Sequence, residues 1–135
     1  MRGLAEQYPG PWDAIRENMV DPSRVNYTQF RVHLLDGPWH RGRVVLIGDA
    51  VHCCPPTLAQ GAAQALEDAL VLSELLTTRA TLDDDLLASF SARRLPRART
   101  VAQASVQLCR LLLMRQRGDV PKLMSRIRAA IAKAP

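Results

Sequence analysis

The sequence predicts an α/β chain that is mainly helical with few strands, and three observations support that class. Residues 25–34 alternate in side-chain character, as a half-exposed strand does. The apolar run "RVVLI" (43–47) ends abruptly on Gly48-Asp49, as a short strand buried on both sides would. From Gln60 onward the apolar residues recur at helical spacing almost to the end of the chain.

Each element follows from local chemistry. "PGPWDAIRENM" reads as a short helix opened by Pro11, whose fixed φ suits a first turn, and closed before Asp21-Pro22. Val25 to Leu34 sets Val25, Tyr27, Gln29 and Arg31 against Asn26, Thr28, Phe30 and Val32, and "DGPWHRG" then reads as a turn. After Gln60, residues Ala62, Ala65, Leu66, Ala69, Leu72, Ser73 and Leu76 share one helical face, with Glu67 and Glu74 off it. Asp83 to Asp85 supply the cap and first turn of the next helix, because carboxylates accept the unpaired N–H groups there. Pro96 is expected to interrupt that helix. A long helix follows with Val101, Ala104, Leu108, Leu111 and Leu112 as its stripe, ended near Gly118-Asp119. A last helix, 120–133, turns Leu123, Ile127 and Ile131 inward.

Composition narrows the function classes. A length of 135 residues allows one domain at most, and 47% hydrophobic content suits a folded core. The N-terminal "MRGLAEQYPG" is broken by charge and proline, unlike a signal peptide. The apolar runs "VVLI" and "LLLM" fall far short of the ~20 residues of a membrane span. Cys53, Cys54 and Cys109 form no disulfide framework, so a reduced, cytoplasmic setting is expected. Residues 1–92 carry a net charge of −5 and residues 93–135 one of +10. With no aromatic residue after Phe90 to stack on bases, the basic tail reads as a solvated helical face, not as a specific nucleic-acid site.

The chemistry concentrates between Arg41 and Leu76. A carboxylate at the end of a strand lies where open α/β sheets bind ligands, and Gly48 lets another group come close to the backbone. Asp49, an acceptor only when ionised, suits sugar or polyol hydroxyls. Pro55-Pro56 stiffens the turn, and Gln60, Gly61, Ala62 and Ala63 start a helix whose free N–H groups favour an anion or an electron-rich carbonyl by about 0.3–1 kcal/mol. Other residues have plainer readings. His52 reads as packed or hydrogen-bonded, and Glu67-Asp68 as the wet face of the helix. His33, His40, His52 and the cysteines lack metal-ligand spacing, so no metal is expected. No catalytic residue is assigned.

Taken in order, these residues resemble the second flavin-binding motif of the group A flavoprotein monooxygenases, the aromatic-ring hydroxylases typified by para-hydroxybenzoate hydroxylase. Gly42-Arg43-Val44, Leu46, Gly48-Asp49-Ala50, His52, Pro56, Gln60-Gly61, Ala65, Glu67-Asp68-Ala69 and Leu72 fall at matching places. "SARRLPRARTV" resembles the family's later Y-x-x-x-R-x-P-R-x-x-x-V, with Phe90 and Arg94 to Arg97 in register. The likeness runs from about Trp39 to Val101. It implies that Asp49 accepts hydrogen bonds from the ribityl chain of FAD and that Pro56 borders the flavin. It further implies that the backbone of Gly61, Ala62 and Ala63 faces the pyrimidine edge of the isoalloxazine. In such enzymes NAD(P)H reduces the flavin, and oxygen activated there hydroxylates a small aromatic or related cyclic substrate.

Two departures stand out: Ala59 replaces the usual glycine and Ala63 the usual asparagine. None of the seven glycines (3, 10, 37, 42, 48, 61 and 118) stands in G-x-G spacing, so the FAD pyrophosphate has no glycine-rich seat in this sequence. The resemblance therefore implies a C-terminal fragment of the glutathione-reductase-like monooxygenase fold. Residues 1–40 would be the tail of the substrate domain, 41–79 the second half of the FAD site and 80–135 the closing helices. Such a fragment is expected to self-associate, to hold no FAD stoichiometrically and to hydroxylate nothing alone. The alternative is a cofactor-free helical interaction module or an inactive truncated product. A haloacid-dehalogenase-type phosphatase also ends a strand in Gly-Asp, but it needs an earlier D-x-D and a further acid, and positions 53 and 54 are cysteines.

Overall fold

The structure is a computed structural model that describes every residue except Met1, Pro9, Val20, Tyr27, 115–117 and 133–135. Its elements are α1 (Arg2–Ala5), α2 (Trp12–Asn18), β1 (His40–Arg41), β2 (Val44–Val45), α3 (Asp49–His52), α4 (Gly61–Thr78), α5 (Asp84–Leu113) and α6 (Val120–Ile131). Short 3-10 turns occupy Pro22–Arg24 and Pro56–Leu58. Its described residues are mostly helical, with one two-stranded sheet among them.

The helix starts obey their caps. Asp83 accepts from the Leu86 N–H at 2.9 Å and opens α5, while Asp119 accepts from the Lys122 N–H at 2.9 Å and opens α6. Helices α4 and α5 form the central hairpin, and α6 folds back on the second half of α5. Two apolar clusters result. Trp39, Val51, Val71, Phe90 and Ala98 form one, with the Phe90 and Trp39 rings edge to face at 5.8 Å. Ala104 packs with Leu123 and Ile127 in the other. Leu112, placed on the α5 stripe by its spacing, is 63% exposed.

The strands differ from expectation. Segment 25–34 forms no strand among its described residues; it runs extended, tied to α3 by His33 N–H to the Cys53 carbonyl (2.9 Å) and Leu35 N–H to the Val51 carbonyl (2.8 Å). "RVVLI" is not buried on both sides. Only Val44 and Val45 pair, antiparallel to Arg41 and His40 across a tight turn in which Gly42 takes φ +56°. Val44, Leu46 and Ile47 are exposed. The reason is physical: a strand is made by its neighbours, and these residues find none beyond this hairpin.

Helix α4 turns a different face inward. Gln64, Asp68 and Val71 are buried, whereas Ala62, Leu66, Ala69, Ser73 and Leu76 of the expected stripe are exposed. Polar satisfaction by α5 sets the rotation of this helix, leaving its apolar side open. Pro96 does not interrupt the chain's longest helix either; α5 runs through it from Asp84 to Leu113. A proline there removes one N–H and crowds the Ala92 carbonyl, a cost of ~3 kcal/mol. The ion pairs of Arg94 and Arg97 on either side hold the helix together. No helix among the described residues is long and apolar enough to cross a membrane.

Replacing Pro96 by alanine restores the Ala92 bond, and thermal or urea unfolding should show a gain of about 1–3 kcal/mol. An unchanged or lowered midpoint would mean that α5 needs the proline's shape.

Candidate flavin site

Gly48 is the pivot of the site. It is buried, with φ +60° and ψ −138°, a conformation open to glycine and strained for other residues. A Cβ built there would come within 3.1 Å of the Ala65 Cβ on α4. The Gly48 N–H donates to Asp68 Oδ2 at 2.8 Å. Asp68 is therefore not on the wet face of its helix but fully buried.

Three donors hold its carboxylate. His52, 3% exposed, donates from Nε2 to Oδ2 at 2.6 Å, and the Arg94 Nε–H donates to Oδ1 at 2.7 Å. The acceptor-only carboxylate fixes the proton of His52 on Nε2. Arg94 donates onward to Glu67 Oε2 at 2.9 Å, and to the Gln64 carbonyl and Oε1 at 3.3 and 3.2 Å. Arg97 pairs with Glu67 and also donates to the Ala130 and Ile131 carbonyls, covering the C-terminal end of α6. Burial pushes the Asp68 carboxyl up, but hydrogen bonds from His52, Arg94 and Gly48 outweigh it and hold it below its ordinary value of 3.8. Arg94 corrects the reading of 93–135 as a solvated face, since its side chain is completely buried.

Of the residues singled out for the ligand, Gly48 belongs to this network, and the others are exposed or half-buried. Asp49 is the exposed first residue of α3, directly after the locked Gly48. Pro55 is buried and Pro56 exposed, so the turn presents Pro56 outward. Ala59 takes a left-handed φ of +52°, which explains why glycine is usual there. Gln60 makes no side-chain cap at the start of α4, leaving the N–H groups of Gly61, Ala62 and Ala63 without side-chain partners. Gln60, Gly61 and Ala63 are half-buried and Ala62 exposed. An exposed carboxylate, an outward proline and a free helix start fit the ribityl and isoalloxazine half of FAD.

An open cavity of about 380 Å³ lies elsewhere, between Val32 and Leu34 and the Ala102–Arg110 stretch of α5, and none of these ligand-facing residues lines it. Among the described residues no group of three or more His, Cys, Asp or Glu is placed to hold a metal ion.

Sequence reasoning missed Asp68, Arg94, Gln64 and Ser105 as parts of the site's frame. One signal was available: Gln64, Asp68, Val71 and Leu75 share helical spacing, and a basic cluster follows at 93–99 to pair with them.

Residues 13–105 match the family described as "FAD binding domain", which is more than half of the chain. The chain belongs to this FAD-binding family of the flavin monooxygenases. It is 40% identical over 106 residues to YetM of Bacillus subtilis, which carries the name of an FAD-dependent monooxygenase, covering 78% of this chain and 28% of that protein. It is 45% identical over 69 residues to 3-amino-4-hydroxybenzoate 2-monooxygenase PtnB3 of Streptomyces platensis, covering 51% of this chain and 17% of that one. Over 42 residues it is 62% identical to the 2-heptyl-3-hydroxy-4(1H)-quinolone synthase of Pseudomonas aeruginosa, covering 31% and 11%. The chain thus matches 28% or less of the length of each of these relatives. No solved structure matches it significantly.

Asp68→Ala should destabilise the fold by about 3–5 kcal/mol, because it leaves Arg94 buried without its partner. The pH dependence has a definite sign. A carboxyl held low in the folded state gives stability that is present above its unfolded value, near 3.9, and is lost as pH falls through the folded value. Thermal melts of the wild type should therefore drop steeply below about pH 4, and Asp68→Asn should flatten that slope. Parallel wild-type and Asn profiles would contradict the assignment.

Proposed function

We propose that this chain is the flavin-site portion of an NAD(P)H-dependent FAD monooxygenase acting on an aromatic or related cyclic substrate. The observation that carries the reading is the exposed Asp49 carboxylate, held beside a backbone-locked Gly48 that packs on α4, the helix with the uncapped start. Two relatives whose names include a hydroxybenzoate and a quinolone support the substrate class. In this reading residues 41–79 form the second half of the flavin site, within a glutathione-reductase-like fold. Residues 1–40 lead in from the substrate domain, and 80–135 brace it. The protein works in the cytoplasm on a small molecule, self-associates, and recognises no specific nucleic acid.

FAD, when bound, would supply the redox chemistry that links NAD(P)H to oxygen. The chain's own residues bind and orient. Asp49 accepts from the ribityl hydroxyls, each such charge-assisted bond being worth about 1.5–3 kcal/mol. The amides of Gly61, Ala62 and Ala63 donate toward the pyrimidine carbonyls, where the helix terminus favours negative charge. Pro56 shapes the edge of the ring site. Ala63 keeps its N–H but offers no side-chain amide.

Riboflavin titration tests this directly, because riboflavin lacks the pyrophosphate. The wild-type chain should quench riboflavin fluorescence saturably, and Asp49→Ala should weaken that binding at least ten-fold, or ~1.4 kcal/mol per decade. An unchanged dissociation constant in the variant would sink the role of Asp49.

A second measurement concerns the missing glycine seat. FAD and riboflavin should bind the chain within about three-fold of each other, and no flavin should survive gel filtration. FAD binding a hundred-fold tighter than riboflavin would show that another part of the chain holds the pyrophosphate.

A further inference from the structure

We propose that Ser105 is a positioning residue of the flavin site, clamping the turn that presents Pro56. The inference rests on the reading of Pro56 and Asp49 as flavin contacts.

Ser105 lies on α5, fully buried, about fifty residues from the turn it touches. Its hydroxyl donates to the Pro55 carbonyl. Thr57 donates from Oγ1 to the Ser105 carbonyl at 2.8 Å, and its Oγ1 lies 3.0 Å from the Ser105 Oγ. Two residues of one turn, Pro55 and Thr57, thus converge on a single serine, and the exposed Pro56 sits between them.

Leu58 packs the far side of this turn against the Ala104 cluster, so the serine clamp governs its proline side. Within it the Ala59 N–H bonds the Pro56 carbonyl at 2.9 Å, and Ala59 is in the costly left-handed region. Pro55 and Pro56 donate no backbone hydrogen bonds of their own. Losing the serine hydroxyl would leave the buried Pro55 carbonyl without its donor, and such a group seeks water. The turn would then shift away from α5, moving Pro56 relative to Asp49 and the start of α4. Ser105 touches no ligand itself; it acts through Pro55 and Thr57.

The test compares Ser105→Ala and Thr57→Ala with Ser91→Ala. Ser91 is a buried serine on the same helix that accepts from the Trp39 N–H and lies outside the turn. Two readouts are taken below the melting temperature of every variant: hydrogen exchange of the Ala59 amide, and riboflavin affinity with the visible circular dichroism of bound flavin. Ser105→Ala should speed exchange at Ala59 at least ten-fold, weaken riboflavin about ten-fold and diminish the flavin dichroism. Thr57→Ala should do the same to a lesser degree, and it decides the matter if Ser105→Ala does not fold. Ser91→Ala should lower the melting temperature and leave both readouts as in the wild type. Unchanged exchange and an unchanged flavin signal in the turn variants, despite lost stability, would overturn the positioning role alone. A wild-type chain with no saturable riboflavin signal would overturn the flavin reading, and this inference with it.

Discussion

The Asp68 carboxylate on α4 ties together three stretches that are far apart in sequence: Gly48–His52, its own helix and α5. One oxygen accepts from Gly48 and His52, and the other from Arg94. Through these bonds the end of the hairpin, helix α3, helix α4 and helix α5 share a single point. Removing a carboxylate and a guanidinium from water costs several kcal/mol per ion, so the pair contributes little net stability, and apolar residues of the same volume would serve stability as well. Apolar residues could not, however, fix the direction of the Gly48 N–H. That direction sets where the next residue, Asp49, projects. The network therefore matters more for placing Asp49 than for holding the chain folded.

Helix α5 extends the same logic along its length. Arg94 and Ser105 lie about three turns apart, roughly 16 Å at 1.5 Å per residue. Arg94 locks the Gly48 side of the site and Ser105 locks the proline turn, so one rigid rod sets the spacing between them. Pro96 sits inside this span, and the helix continues through it. Its second half also carries α6, docked by Leu123 and Ile127 and by Arg97 on the last carbonyls. The helix that contributes Phe90, Ala98 and Ala104 to the two apolar clusters is thus packed on both sides, by α4 and by α6.

Helices were legible because their signals are local. Asp83, Asp119 and Pro11 mark starts that the chain obeys, and the period of 120–131 places Leu123 and Ile127 correctly. Strands were not legible, since Val44 to Ile47 has the composition of a buried strand but only a two-residue partner. The face of α4 was misread for a related reason. Periodicity finds an apolar stripe, but it cannot tell that Gln64 and Asp68 meet a guanidinium thirty and twenty-six residues away. In the site, Gly48, Asp49 and the turn prolines stood out as a motif. Asp68 and Arg94 left a trace in helical spacing and in the basic cluster at 93–99, but the partner each side chain takes, that of Ser105 included, is encoded by no spacing rule.

The two sides of α4 complete the argument. Toward α5 it presents satisfied polar groups; away from it Leu66 is 72% and Leu70 60% exposed, and Val44 of the hairpin is 64% exposed. Contiguous apolar exposure is unfavourable in water, and a covering of these leucines would relieve it. Relatives several times longer have ample chain to cover such a face. Covering it would also dry the start of α4. A helix terminus in water favours an anion by about 0.3–1 kcal/mol, and in a partly buried setting by up to ~2 kcal/mol. Burying the apolar face and strengthening the preference for negative charge at Gly61 to Ala63 are then one event, because the packing that covers the leucines also takes the start of the same helix out of water.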